Sequence, residues 1–160
     1  MSFKIREGLV SDMPAVLSLV QELADFEKEP EAVIVTAEDL EKDGFGDFPL
    51  FKTYVAELDN EIVGMALFYP RYSTWKGPTI HLEDLIVTQS KRGLNIGRAL
   101  YNKVLEYGYN KGVKRIEWVV LDWNTPAIEF YKKTGAVILD DWNTAQIDEQ
   151  AIKNYLELVK

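Results

Sequence analysis

The chain has 160 residues, 47% of them hydrophobic and 28% charged, which suits one domain with a sizeable core and excludes a disordered chain. It has no cysteine and a single histidine, His81, so a disulfide scaffold, a thiolate-ligated metal, a Cys nucleophile and a His-rich metal centre are all excluded. Lys and Arg number 18 against 26 Asp and Glu, and the net charge of −8 disfavours a nucleic-acid binder and suits a small cationic partner.

The N-terminal stretch has no signal-peptide apolar core, and no apolar run approaches the ~20 residues of a membrane span, which points to a cytoplasmic protein that does not enter a membrane. Phe3–Arg6 reads as a first strand. Asp12 stands where a helix N-cap would be, ahead of a helical stripe of Met13, Val16, Leu17, Val20, Leu23 and Ala24. Thr36-Ala37-Glu38-Asp39 resembles a capping box and predicts a second helix ending near Gly44. Asp43–Pro49 is a loop by its Gly and Pro content. Lys52–Leu58 and Glu61–Tyr69 read as a hairpin around an Asp59-Asn60 turn. Thr79–Val87 is the next strand. Ile96, Ala99, Leu100, Val104 and Tyr107 stripe a third helix, and Lys114–Leu121 reads as a strand. Thr125 as cap with Pro126 at the first helical position starts a fourth helix, which Gly135 ends. Ala136–Leu139 and Trp142–Ile147 read as late strands, and Ile152, Tyr155, Leu156 and Val159 predict a C-terminal helix. No linker divides the chain, so residues 1–160 read as one mixed α/β (α+β) domain.

The segment from Gln89 to Leu100 carries the strongest chemical signal. It follows a strand ending at Val87 and opens the helix striped by Ile96 and Leu100. A strand, a glycine loop and a helix aim unpaired backbone N–H groups at one point. Lys91, Arg92 and Arg98 add three cations within eight residues. A pyrophosphate fits this arrangement; an ordinary connecting loop with a solvated basic face fits the spacing equally well. No Gly-Lys-Ser/Thr makes it a Walker loop, and Gly93-x-x-x-Gly97 is the wrong spacing for a Rossmann fingerprint.

Arg92-Gly93-x-x-x-Gly97 after an apolar strand resembles the acyl-CoA loop of the GNAT N-acetyltransferase superfamily, Arg/Gln-x-x-Gly-x-Gly/Ala. Gln21–Glu27, Asp43–Gly46, Leu82–Leu85, Asp122–Pro126 and Phe130–Gly135 stand in family order. Together they resemble the diamine acetyltransferase branch, which contains the spermidine/spermine and thialysine enzymes. The first motif glycine is replaced by Asn95. Asn is the residue after Gly that best tolerates φ > 0, so the loop can keep its shape.

The resemblance implies a GNAT-like acyl-CoA N-acyltransferase fold, with a mixed, mostly antiparallel central sheet flanked by helices. The sheet would splay between the strand ending at Val87 and the one ending at Leu121, and acetyl-CoA would enter the split. It implies acetyl-CoA contacts from Leu85, Ile86, Val87, Arg92, Gly93, Leu94, Asn95, Ile96, Gly97, Arg98, Asn124, Ala127 and Tyr131. Backbone N–H groups near Ile86 and Val87 would polarise the acetyl carbonyl. Tyr131 would be the acid that protonates the departing thiolate, since a phenol is protonated at neutral pH. Glu83 would be the base, acting through water. Adjacent strand residues point to opposite faces, so Asp84 is expected to face away from Glu83. The acceptor pocket would hold Phe26, Glu27, Glu83, Glu117, Trp118 and Val119, where an aromatic ring beside carboxylates suits an alkylammonium. Asp140 and Asp141 lie near a further acceptor-side carboxylate of the branch. His81 reads as a strand-face residue, and Trp75, Trp123 and Trp142 as packing.

The expected reaction is direct acetyl transfer to a polyamine, a diamine or a lysine-like amino acid, without a covalent enzyme intermediate and without a metal. The resemblance also implies a homodimer with the C-terminal strands at its interface. A non-catalytic CoA-binding or regulatory module of the same fold is the alternative, and Asn95 is the feature that keeps it open.

Overall fold

In the computed structural model, which describes residues 2–159, five strands form one sheet in the order β1 (Lys4–Glu7), β2 (Lys52–Leu58), β3 (Glu61–Ser73), β4 (Gly77–Val87) and β5 (Ile116–Glu117). The first three pairings are antiparallel and the last is parallel. Asp59 and Asn60 both take positive φ, 52° and 65°, the backbone that lets a two-residue turn follow the twist of a hairpin. The arms of the β3–β4 hairpin run on past Tyr69 to Ser73 and back from Gly77, longer than the hydrophobic pattern predicts. There the two arms pair with each other, and Tyr72 and Trp75 remain exposed.

Helices α1 (Met13–Phe26) and α2 (Ala37–Phe45) cover one face of the sheet. Met13, Val16, Leu19 and Leu40 bury against Val55, Met65, Leu67 and Ile86, with Leu17, Val20 and Leu23 packed around them. Helix α3 (Ile96–Asn110) buries Ile96, Leu100, Tyr101 and Val104. On that side Phe68 meets the Tyr107 ring edge-on at 5.1 Å. Burying a side chain such as Met13 or Leu100 contributes about 1.5–3 kcal/mol. The capping box forms as its residues predict: Thr36 accepts the Asp39 N–H, and Asp39 Oδ2 accepts the Thr36 N–H.

Asp12 does not cap α1. It sits in a 3₁₀ turn at φ −85°, where its Oδ2 accepts the Leu9 N–H at 2.7 Å. The Arg6 guanidinium reaches both its oxygens, at 2.6 and 3.0 Å, and Arg6 Nε also donates to Glu57 at 2.9 Å. The nearby cation outcompetes the amides of the helix start and ties β1, α1 and β2 together.

The expected strand Lys114–Leu121 shrinks to Ile116–Glu117, paired only with Ile80 and His81. The reason lies in β4. Leu67 pairs with Asp84 and Phe68 with Leu82, so Glu83 is an extra residue in the ladder, a β-bulge. A bulge bends its strand. Beyond His81 the β4 edge has no strand partner among the described residues, and the sheet opens there as the resemblance implies.

Residues up to Val119 form one compact unit, and those from Val120 on form a second. The second unit holds α4 (Thr125–Lys133) and α5 (Glu149–Leu158). Asn124, one residue before the expected cap, is the N-cap of α4, and its side chain accepts the Ala127 N–H. Thr125 and Pro126 then occupy the first turn. Gly135 takes φ +92° after the helix, as predicted. Within the second unit, the expected strands Ala136–Leu139 and Trp142–Ile147 form no ladder with each other. No helix among the described residues is long and apolar enough to cross a membrane.

Candidate active site

The loop between β4 and α3 has the backbone of an anion cradle. Gly93 has φ +82°, and Asn95 is in the left-handed region at φ 62°, ψ 11°. Asn95 therefore adopts the conformation for which a glycine is the usual residue. Its side chain makes no capping hydrogen bond, and the first amides of α3 have no carbonyl one turn back to accept them. A Cβ built on Gly97 would meet only Val87 Cγ2, at an ordinary 3.6 Å, so internal packing does not demand glycine there. This loop fits the pyrophosphate of acetyl-CoA, with Lys91 and Arg98 on the same short segment. Arg92 is partly committed: its Nε donates to the Val87 carbonyl at 3.0 Å, and its guanidinium lies 5.6 Å from the centre of the Phe26 ring. Arg92 thus ties the loop to the end of α1, where the sequence places the acceptor pocket. Leu94 is half exposed and Ile96 is buried. Leu85, Ile86 and Val87 lie on the edge of β4 that no strand covers, with Ile86 buried in the core.

The bulge at Glu83 overturns the expectation that Asp84 faces away. Asp84 lies opposite Leu67, on the face covered by α1, and Glu83 accepts a 2.7 Å hydrogen bond from the hydroxyl of Tyr69, a residue of that same face. Both carboxylates therefore lie on one face of the sheet. Burial first, then the charges of Glu83 and Glu27, push the Asp84 carboxyl up to about 7. Glu27, just past the end of α1, is raised by burial and by Glu83. Three carboxylates thus gather where α1 ends against the bulge, and α1 brings Phe26 to the same end. Asp84 is the residue that strand alternation misses. The Glu83-Asp84 doublet is the only sequence signal for it.

Glu117 and Trp118 separate. Glu117 lies against Arg71 and Arg115, with its charge engaged by two guanidinium groups. Trp118 meets the ring of Tyr101 on α3 at 5.7 Å, and Val119 is exposed. Glu117 is therefore neutralised within the sheet and does not join the acidic cluster. His81, read as a strand-face residue, is nearly buried and lies 3.4 Å from Glu83. In the second unit, Asn124 and Ala127 form the start of α4, and Tyr131 lies on that helix with its ring 5.3 Å from Phe130.

Residues 15–136 match the model of the Acetyltransferase (GNAT) family. The chain is 37% identical over 160 residues to a thialysine N-epsilon-acetyltransferase of Bos taurus, an alignment covering 93% of this chain and 94% of that protein. It is 32% identical over 160 residues to spermidine/spermine N(1)-acetyltransferase-like protein 1 of Homo sapiens, covering 94% of this chain and 23% of that one. Among solved structures, an integron cassette protein from the mobile metagenome of V. cholerae matches with a TM-score of 0.79 at 20% identity, over 98% of this chain and 99% of that chain, a likeness of fold.

Proposed function

The chain belongs to the GNAT acetyltransferase family and moves an acetyl group to the primary amine of a small cationic substrate, and on that premise we propose that its donor is acetyl-CoA, held at the loop from Arg92 to Arg98, and that its acceptor binds among Glu27, Glu83 and Asp84. The observation that carries this reading is the bulge, which puts three carboxylates at the end of α1 that Arg92 joins to the loop. Acetyl-CoA supplies an activated thioester when bound. The chain's own residues do the rest. Gly93, Asn95 and the first amides of α3 receive the phosphates, with Arg98 beside them. The uncovered backbone edge at Leu85–Val87 polarises the acetyl carbonyl. The acidic cluster attracts the alkylammonium, which at neutral pH is protonated and not nucleophilic. Glu83 accepts its proton through water, Asp84 and Glu27 hold the cation, and Phe26 lies along its alkyl chain. Tyr131 on α4 gives a proton to the departing thiolate.

The name of the bovine relative supports a lysine-like amino acid as acceptor, and that of the human relative supports a polyamine. The family match crosses Val119 and Val120, which supports one functional domain over residues 1–160. A homodimer with the C-terminal region at its interface follows the resemblance. The residue roles follow the resemblance.

The test is thiol release from acetyl-CoA over a panel of thialysine, lysine, diamines and spermidine, for the wild type and Glu83→Gln. The expected result is a loss of kcat/KM in Glu83→Gln of ~10²-fold near pH 7 that shrinks toward pH 10, as free amine becomes abundant without the enzyme's help. A constant offset at every pH would make Glu83 a holder of the amine and not its base.

A further inference from the structure

Glu83 is gripped on one side only. The Tyr69 hydroxyl donates to Oε2 at 2.7 Å. His81 Nε2 lies 3.4 Å from that same oxygen. Oε1 has no protein partner among the described residues. The two gripping residues face each other across the ladder, since Tyr69 pairs with His81 and their rings lie 5.3 Å apart. The bulge is what turns Glu83 back toward them.

The chemistry of each partner fits holding. Burial and the neighbouring Glu83 push the Tyr69 phenol up to about 12, so it remains a donor through the working range of the enzyme. His81 is about nine-tenths buried, and its Nδ1 is buried with no hydrogen-bond partner. A proton on Nδ1 would be a buried donor without an acceptor, which is costly. The neutral ring therefore carries its proton on Nε2, facing the carboxylate. The other charged groups around Glu83 do not replace these donors. Arg71 on β3 is taken up by Glu117 of β5. Asp84 on β4 and Glu27 beyond α1 are themselves acidic.

We propose that Tyr69 and His81 are positioning residues for acetyl transfer: they hold Glu83 Oε2, which fixes Oε1 as the oxygen that faces the amine and takes up its proton by way of water. This rests on the reading of Glu83 as the base. The ammonium N–H bond breaks and its proton passes through water to Oε1; the freed nitrogen lone pair forms the C–N bond, the thioester C–S bond breaks, and the departing thiolate takes up a proton that balances the second one lost from the nitrogen.

The experiment compares Tyr69→Phe, His81→Phe and His81→Gln, each alone and combined with Glu83→Gln, in kcat/KM profiles from pH 6 to 10 alongside acetyl-CoA affinity. Tyr69→Phe is expected to lower kcat/KM about tenfold, with acetyl-CoA affinity unchanged. His81→Phe is expected to do the same more weakly, and His81→Gln, which keeps an N–H donor, to restore most of the rate. In the Glu83→Gln background neither Phe variant should cost more. If Glu83→Gln is impaired while Tyr69→Phe and His81→Phe keep wild-type profiles, the positioning is overturned and the base stands. Equal losses with and without Glu83 would likewise overturn it. A wild-type rate for Glu83→Gln would overturn the base assignment itself, and the positioning with it.

Discussion

Asp12 and Asp84 are aspartates of the same compact unit, and their surroundings drive them in opposite directions. Asp12 has the Arg6 guanidinium across both oxygens and an amide on one of them. The hydrogen bond from Arg6 outweighs burial and holds its carboxyl below the usual range. Asp84 has no cation partner among the described residues, and burial with Glu83 and Glu27 raises it to about 7. The first site is complete within the chain. The second concentrates negative charge that the described residues do not neutralise, and under the proposed function the cationic amine completes it. A buried carboxylate becomes structural or functional according to whether the fold delivers its counter-charge.

The largest expected difference between the two is in stability. Asp12→Ala leaves Arg6 without its main partner and should cost about 2–3 kcal/mol in chemical denaturation, while the folded fraction keeps its acetylation rate. Asp84→Asn should do the reverse. Its kcat/KM for a cationic amine falls about tenfold, and its stability at pH 8 rises by on the order of 1 kcal/mol as the repulsion is relieved. A destabilised Asp84→Asn with full activity would break the comparison.

The pH dependence of melting sharpens it. The folded value of Asp12 is lowered, so its contribution is full above the unfolded value near ~4 and is lost as pH falls through the folded one. The folded value of Asp84 is raised, so its contribution is full below ~4 and is lost as pH rises toward about 7. Melting temperatures from pH 3 to 8 should show a falling limb between those values that Asp84→Asn removes, and an acid loss that Asp12→Ala removes. The smallest signal is a proton count. A diamine bound at pH 7 should expel ~0.5 proton from the half-protonated Asp84, seen as different binding heats in phosphate and Tris. Equal heats, after correction for the amine's own ionisation, would remove Asp84 from the cation site.

Much of the fold is legible in short-range chemistry. The Thr36 capping box, the Asp59-Asn60 turn and the stripes of α1 and α3 need only neighbours a few residues away. Asp12 misleads because its partner, Arg6, lies on another element and outcompetes the cap. Alternation gives the segments after Gly135 their faces, but a ladder partner is a long-range property that alternation does not carry.

The site divides along the same line. Residue order and type alone determine the family, and they suffice to nominate the phosphate loop and Glu83, Glu27 and Phe26, because loop, helix start and motif are local in sequence. Asn95 belongs here too: its tolerance of positive φ is a property of the residue, and the backbone takes that conformation. Only the tertiary structure decides that Asp84 joins Glu83, that Glu117 is spent on Arg71 and Arg115, and that Tyr69 and His81 meet one oxygen of Glu83. Each depends on a single extra residue in β4 or on the register of neighbouring strands. Such a slip shifts side chains between faces without altering the apolar pattern from which a strand is read.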